Sequence, residues 1–154
     1  MRKHVLVSFV LASFAFMAVA ASAGENWVGS WKLNESKSKL GNGVRANALK
    51  FEATPEGIKL TSAGSDATGN ATQGSFTSKF DGKEVPYTGN AMADTASPKR
   101  IDDNNYENTW KKGGKVTVTA KVSVSADGKT LTVTQAGKDP EGKPVSMTAV
   151  YDRQ

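Results

Sequence analysis

The chain has 154 residues, 20 of them basic and 15 acidic, with no cysteine and a single histidine at position 4. A body without imidazole or thiol excludes Ser-His-Asp and Cys-His catalysis and His or Cys metal ligation, so no enzyme, no metal site and no cofactor is expected. Charges of both signs are interspersed, as in Lys99-Arg100 followed by Asp102-Asp103, which describes a solvated surface rather than a basic stripe for nucleic acid.

In chain order, the first segment is a processing signal. Met1-Arg2-Lys3-His4 is a basic head, residues 5–20 form an apolar run, and Ala21-Ser22-Ala23 is a small-x-small cleavage pattern. The run is shorter than the roughly 20 residues that span a bilayer. The pattern predicts a signal peptide over 1–23, cleaved after Ala23, and one domain over 24–154 in the periplasm or outside the cell. With Arg2 and Lys3 removed, 18 basic residues face 15 acidic ones, a net charge of +3. No membrane span is expected after processing, and the missing cysteine removes a lipid-anchoring site.

The body reads as short strands and turns. Val28-Gly29-Ser30-Trp31-Lys32-Leu33-Asn34 opens it, and residues 35–40 allow one helical turn at most. Leu49 and Phe51 mark a strand over 48–54, turned by Pro55-Glu56-Gly57 into Ile58 and Leu60. A polar stretch over 62–70 precedes a strand over 71–80 with Phe76 and Phe80. Asp81-Gly82-Lys83 turns into 84–88, and a longer loop is expected over 89–98. Strands follow over 99–102 and 105–112, the latter with Tyr106 and Trp110, and Gly113-Gly114 turns the chain. Residues 115–125 then alternate strictly, with Val116, Val118, Ala120, Val122 and Val124 on one face, the mark of a half-buried strand. Asp127-Gly128 is a hairpin turn, residues 129–136 alternate again, and 138–142 turn into a last strand with Val145, Met147 and Tyr151 on one face. Such spacing predicts an all-β fold, a single antiparallel up-and-down β-barrel of about 8–10 strands with no C-terminal helix.

At these residues the chain resembles the calycins, the superfamily of lipocalins and fatty-acid-binding proteins. Gly29-Ser30-Trp31 matches the G-x-W of their first strand, and the chain ends within a strand, A-V-Y-D-R-Q. W-K-L-N, F-D-G-K-E-V-P-Y-T-G-N, K-R-I-D, S-A-D-G-K-T-L-T-V-T and V-Y-D-R-Q also resemble a group of small exported bacterial lipocalin-like proteins. The resemblance implies structural roles for Gly29, Trp31 and Arg153: the indole closes one end of the barrel beneath the guanidinium. Fatty-acid-binding proteins often hold a carboxylate with Arg-x-Tyr in the final strand. Here that stretch is Ala149-Val150-Tyr151, so carboxylate capture of that type is not expected. Arg45, Lys50 and Arg100 are the cations that could replace it.

The functional expectation is a monomeric module that binds a small apolar or amphipathic ligand in the barrel mouth. Tyr87, Met92, Tyr106, Trp110 and Tyr151 are the candidate ligand contacts. The 89–98 loop, carrying Met92, is expected to form a lid or rim loop, because loops on rigid scaffolds carry function. The alternative is a protein-interaction module, such as the exported protease inhibitors built on a lipocalin-like barrel. Those use an N-terminal arm and a disulfide, and here the arm is only Gly24-Glu25-Asn26.

Overall fold

The structure is a computed structural model that describes residues 25–65 and 68–154. The expected signal segment and its cleavage site lie outside the described residues. Ten strands form one closed antiparallel barrel: β1 (Gly29–Leu33), β2 (Ala48–Thr54), β3 (Gly57–Ser65), β4 (Ala71–Ser78), β5 (Val85–Asn90), β6 (Ala93–Arg100), β7 (Asn105–Lys112), β8 (Lys115–Val124), β9 (Thr130–Lys138) and β10 (Pro144–Arg153). Each strand pairs with the next in sequence, and β1 pairs with β10 to close the ring. Closure protects the strand edges that would otherwise template aggregation, with the thinnest seam between β4 and β5, paired only at Ser75 and Thr88. The architecture is an up-and-down barrel compatible with a calycin-like fold, and β10 is the last element among the described residues.

The core follows from period-two alternation. On β10, Val145, Met147, Ala149 and Tyr151 are buried while the residues between them are not. On β9, Leu131, Val133 and Gln135 share the inner face. On β8 the alternation breaks once. Trp110 pairs with Val118 but Lys111 pairs with Val116, so Thr117 is the extra residue of a bulge. Val116, expected inside, is therefore 52% exposed, and Thr117 is buried with its hydroxyl donating to the Met92 carbonyl at 2.7 Å.

Two other expectations are corrected. The polar 62–70 stretch is not all loop: β3 continues through Ser65. The 89–98 segment is not a loop at all. β5 and β6 are joined by only Ala91-Met92, with Asn90 paired to Ala93, and Pro98 is buried within β6. The Thr, Ser and Pro content of 95–98 disguised the strand. Its inward positions are the small Ala93 and Ala96, which carry little apolar signal. The long connection lies elsewhere, between β1 and β2. It contains a single 3₁₀ turn, Glu35–Lys37, capped by the Asn34 side chain.

Candidate functional site

The two ends of the barrel are built differently. At one end the chain enters through Glu25, Asn26 and Trp27 and crosses toward the β6–β7 turn, where the Asn26 N–H donates to the Asp103 carbonyl at 2.9 Å. Trp27 and Trp31 are fully buried there, and the Trp31 Nε1–H donates to the Trp27 carbonyl at 2.8 Å. Arg153, at the end of β10, lies over the Trp31 ring at 4.2 Å from guanidinium carbon to ring centroid. Its Nη1 donates to the Val28 carbonyl at 2.9 Å, its Nη2 to Asn26 at 2.5 Å, and its Nε to Gly128 at 2.6 Å. Gly29 sits under it with φ +134°, and a Cβ there would fall 2.6 Å from Nη1. Only glycine allows both the backbone angle and the close approach.

Above this plug, rings fill most of the barrel. Phe80 lies 5.5 Å from Trp27 and 4.8 Å from Tyr106, Phe76 lies 5.1 Å from Tyr87, and Tyr87 lies 5.6 Å from Trp110, most of them edge to face. Edge-to-face contacts suit the ring quadrupoles. Phe80 adopts this position with φ +56°, and the Ser78 Oγ accepts its N–H at 2.9 Å.

What remains is a cavity of about 50 Å³ inside the barrel. Leu49, Phe51, Leu60 and Phe76 wall it on β2 to β4, Tyr106, Asn108 and Trp110 on β7, and Val133, Gln135 and Tyr151 on β9 and β10. Among the described residues, no charged side chain lines it. A water needs only about 10–15 Å³ of such space, whereas pockets for larger organic ligands run to several hundred. As closed, the interior has room for a few waters or a very small molecule.

The cover over this cavity is the β1–β2 connection, not the 89–98 segment. Residues 38–42 run along β10, with Lys39 and Thr148 exchanging backbone bonds at 2.7 and 3.0 Å. The Asn42 side chain bonds the Pro144 carbonyl and the Ser146 N–H. The chain then turns inward at Gly43, where a Cβ would meet Gln135 Oε1 at 2.5 Å and Met147 Cβ at 2.9 Å. Val44 and Ala46 line the cavity. Gln135 clamps Val44 from below: its Oε1 accepts the Val44 N–H at 2.9 Å, and its Nε2 donates to the Val44 carbonyl at 3.0 Å. The Tyr151 hydroxyl donates to the Ala46 carbonyl at 2.9 Å, and Arg45 pairs with Glu35 on the outside.

Of the five candidate ligand contacts, Tyr87, Tyr106, Trp110 and Tyr151 come together around the cavity. Met92 does not. It is half-buried in the β5–β6 turn and packs against the core without lining the space, because the lid expected to carry it is a tight hairpin. Of the possible cations, Arg45 pairs with Glu35, Lys50 with Glu52 and Arg100 with Asp103, and none lines the cavity. Asn108 and Gln135 were not singled out from sequence. Parity was the available signal: Asn108 lies between Tyr106 and Trp110 in the same alternation, and Gln135 continues Leu131 and Val133.

Burial holds the phenols un-ionised. It pushes the Tyr106 hydroxyl well above the usual phenol range, with the neighbouring Tyr87 and Tyr151 adding to the rise. Burial likewise raises Tyr151, opposed by its bond to Ala46, and raises Tyr87, opposed by the Asn90 and Ser62 side chains beside it. The site is thus an uncharged, donor-bearing aromatic chamber. Comparison with protein-family models gives no match, and comparison with curated proteins gives none either.

Proposed function

We propose that the protein is an exported calycin-like barrel that binds one small apolar or amphipathic molecule, admitted when the 38–47 segment lifts from the mouth. One observation carries this reading: an uncharged, largely aromatic cavity lies directly beneath a cover that belongs to none of the ten strands and bridges β10 only at Lys39 and Thr148. Side-chain hydrogen bonds at Gln135, Tyr151 and Asn42 hold its middle, and backbone bonds of Lys39 with Thr148 and of Asn47 with Leu33 and Ala63 hold its two ends. A ligand larger than the present cavity occupies the volume that Val44 and Ala46 vacate. The protein acts as a binder and not as an enzyme, as a monomer, in the periplasm or outside the cell.

The test is titration of the folded, purified protein with the neutral probe N-phenyl-1-naphthylamine. Saturable one-to-one binding at roughly micromolar Kd, about −8 kcal/mol, is expected. It should be accompanied by loss of hydrogen-exchange protection at the Val44 amide. Probe uptake only by unfolded or aggregated protein removes the reading.

The second reading, an interaction module with the barrel as scaffold, is favoured by how little interior space the rings leave. Under that reading the probe leaves Val44 protection unchanged. The export claim has its own check: intact mass of material from outside the cytoplasm should correspond to a chain beginning at Gly24.

A further inference from the structure

The inward face of β7 carries Tyr106, Asn108 and Trp110 in consecutive inward positions, each nearly fully buried. Each has an unspent hydrogen-bonding group. The Trp110 Nε1–H is buried with no partner. Asn108 spends its Oδ1 accepting the Ser97 N–H at 3.1 Å, and its amide nitrogen has no partner among the described residues. The Tyr106 hydroxyl likewise makes no hydrogen bond among the described residues. An indole N–H and an amide NH₂ can only donate, and a hydroxyl can donate. A buried donor without an acceptor, here the Trp110 indole, is costly and rarely left so in folded proteins, while the Asn108 amide and the Tyr106 hydroxyl are unpartnered beside the cavity. By contrast, the Gln135 amide and the Tyr151 hydroxyl are already committed to the cover. The wall opposite β7 is apolar, with Leu49, Phe51 and Leu60.

We infer that β7 is the recognition strand of the barrel, and that its ligand is an uncharged, largely apolar molecule carrying a hydrogen-bond acceptor, such as a carbonyl or ether oxygen, aligned along Tyr106, Asn108 and Trp110. This inference rests on the ligand-binding reading above and narrows its class. Donors favour an acceptor. The absence of any charged lining residue among the described residues disfavours an ionised ligand, because an unpaired charge loses its hydration on entering such a chamber. The apolar wall favours a hydrocarbon or aromatic body.

Three shape-matched probes separate these terms: acetophenone, with a neutral acceptor; ethylbenzene, with none; and benzoate, charged at pH 7. Acetophenone should bind about tenfold tighter than ethylbenzene, equivalent to about 1.4 kcal/mol for one or two hydrogen bonds. It should also bind at least tenfold tighter than benzoate. Acetophenone, and not ethylbenzene, should move the Trp110 indole N–H resonance of the unaltered protein downfield. Tyr106→Phe and Trp110→Phe keep a ring in place, and each should shrink the acetophenone preference over ethylbenzene by about threefold. If ethylbenzene or benzoate binds as tightly as acetophenone, or the indole resonance does not respond, the acceptor class is wrong while the binding barrel stands. If none of the three binds the folded protein and the naphthylamine probe also fails, the ligand-binding reading falls with it.

Discussion

The plugged end and the covered mouth of this barrel solve the same problem with opposite materials. At the plug, two indoles fill the narrowing barrel, and one guanidinium ties three backbone carbonyls from the first strand's approach and the β8–β9 turn. Removing any one part exposes a large apolar surface. At the mouth, a polar segment lies across the opening. Its contacts to the interior are the Gln135 clamp, the Tyr151 hydroxyl and the small apolar side chains Val44 and Ala46, which rest over a cavity rather than on packed rings. The comparison teaches where the molecule can open. Area-dominated closure is lost only with global unfolding, whereas closure by a few hydrogen bonds is lost locally.

The largest expected effect is at the plug. Trp31→Ala should destabilise the protein by about 3–5 kcal/mol, read from the midpoint of chemical denaturation at constant slope. A loss below about 1.5 kcal/mol would mean the plug is not what holds that end, and the contrast with the mouth would collapse.

Alkaline pH probes the chamber between the two ends. Tyr87, Tyr106 and Tyr151 all have folded pKa values raised above the ordinary phenol value of 10.0, chiefly by burial. A raised folded value means stability that is complete below pH 10 and declines as pH rises, because only the unfolded chain ionises freely. Each tyrosine contributes up to about 1.4 kcal/mol of loss per pH unit above 10. The expected record is a flat stability profile up to about pH 9, a decline above it, and phenolate absorbance at 295 nm that appears only with unfolding. Phenolate signal in protein with its native tertiary spectrum would show the chamber is wetter than its burial indicates.

Arg153→Ala should cost less than Trp31→Ala, about 1–3 kcal/mol, from three backbone bonds and a cation–π contact at a partly solvated site. The double mutant with Trp31→Ala should fall short of additivity by about 0.5–2 kcal/mol, since the two side chains touch. Strict additivity would dissolve the plug into two independent contacts.

How much of this was legible beforehand depended on side-chain pattern. The strands of the second half showed themselves because Val, Leu and Thr alternate there without interruption. The bulge at Thr117 did not, since a one-residue slip leaves the Val–Thr alternation unchanged and only pairing with β7 reveals it. β6 was hidden for the opposite reason. Ala93, Ala96 and Pro98 face inward, and small residues carry no hydrophobic period. The mouth cover was illegible in principle: its geometry rests on Gly43, Asn42 and Asn34, residues that read as an ordinary polar loop. Of the site, the rings were visible as rings. The clamp was not, because a glutamine on an inward face looks the same whether it points at a partner or at water.

At the mouth, Tyr151→Phe removes one hydroxyl donor from the Ala46 carbonyl and leaves the ring in the core. It should lower global stability by only about 0.5–1.5 kcal/mol. Exchange at the Val44 amide should accelerate by a larger factor than at the slowest amides of β8 and β9. Gln135→Leu should do the same more strongly at Val44, whose N–H and carbonyl both lose their partner. If exchange accelerates uniformly through the barrel instead, the cover does not open on its own.

The smallest effect sharpens the boundary of the site. Met92 sits in the two-residue turn between β5 and β6, half-buried, beside the bulge that its own carbonyl helps to hold through Thr117. That bond uses the backbone, so Met92→Ala leaves it intact. The side chain adds apolar area to the rim of the core but does not reach the cavity. Truncation should therefore cost about 1 kcal/mol or less and change probe affinity by less than twofold. Tyr87→Phe makes the matching control on the same hairpin. It removes a hydroxyl that lies beside Ser62 and Asn90 while preserving the ring contacts to Phe76 and Trp110. A hairpin that served as a lid would show its largest binding loss at Met92. With the 38–47 segment as the cover, Met92 should be the least sensitive of the two, and a binding loss at Met92 exceeding that at Tyr87 would return the gate to the β5–β6 turn.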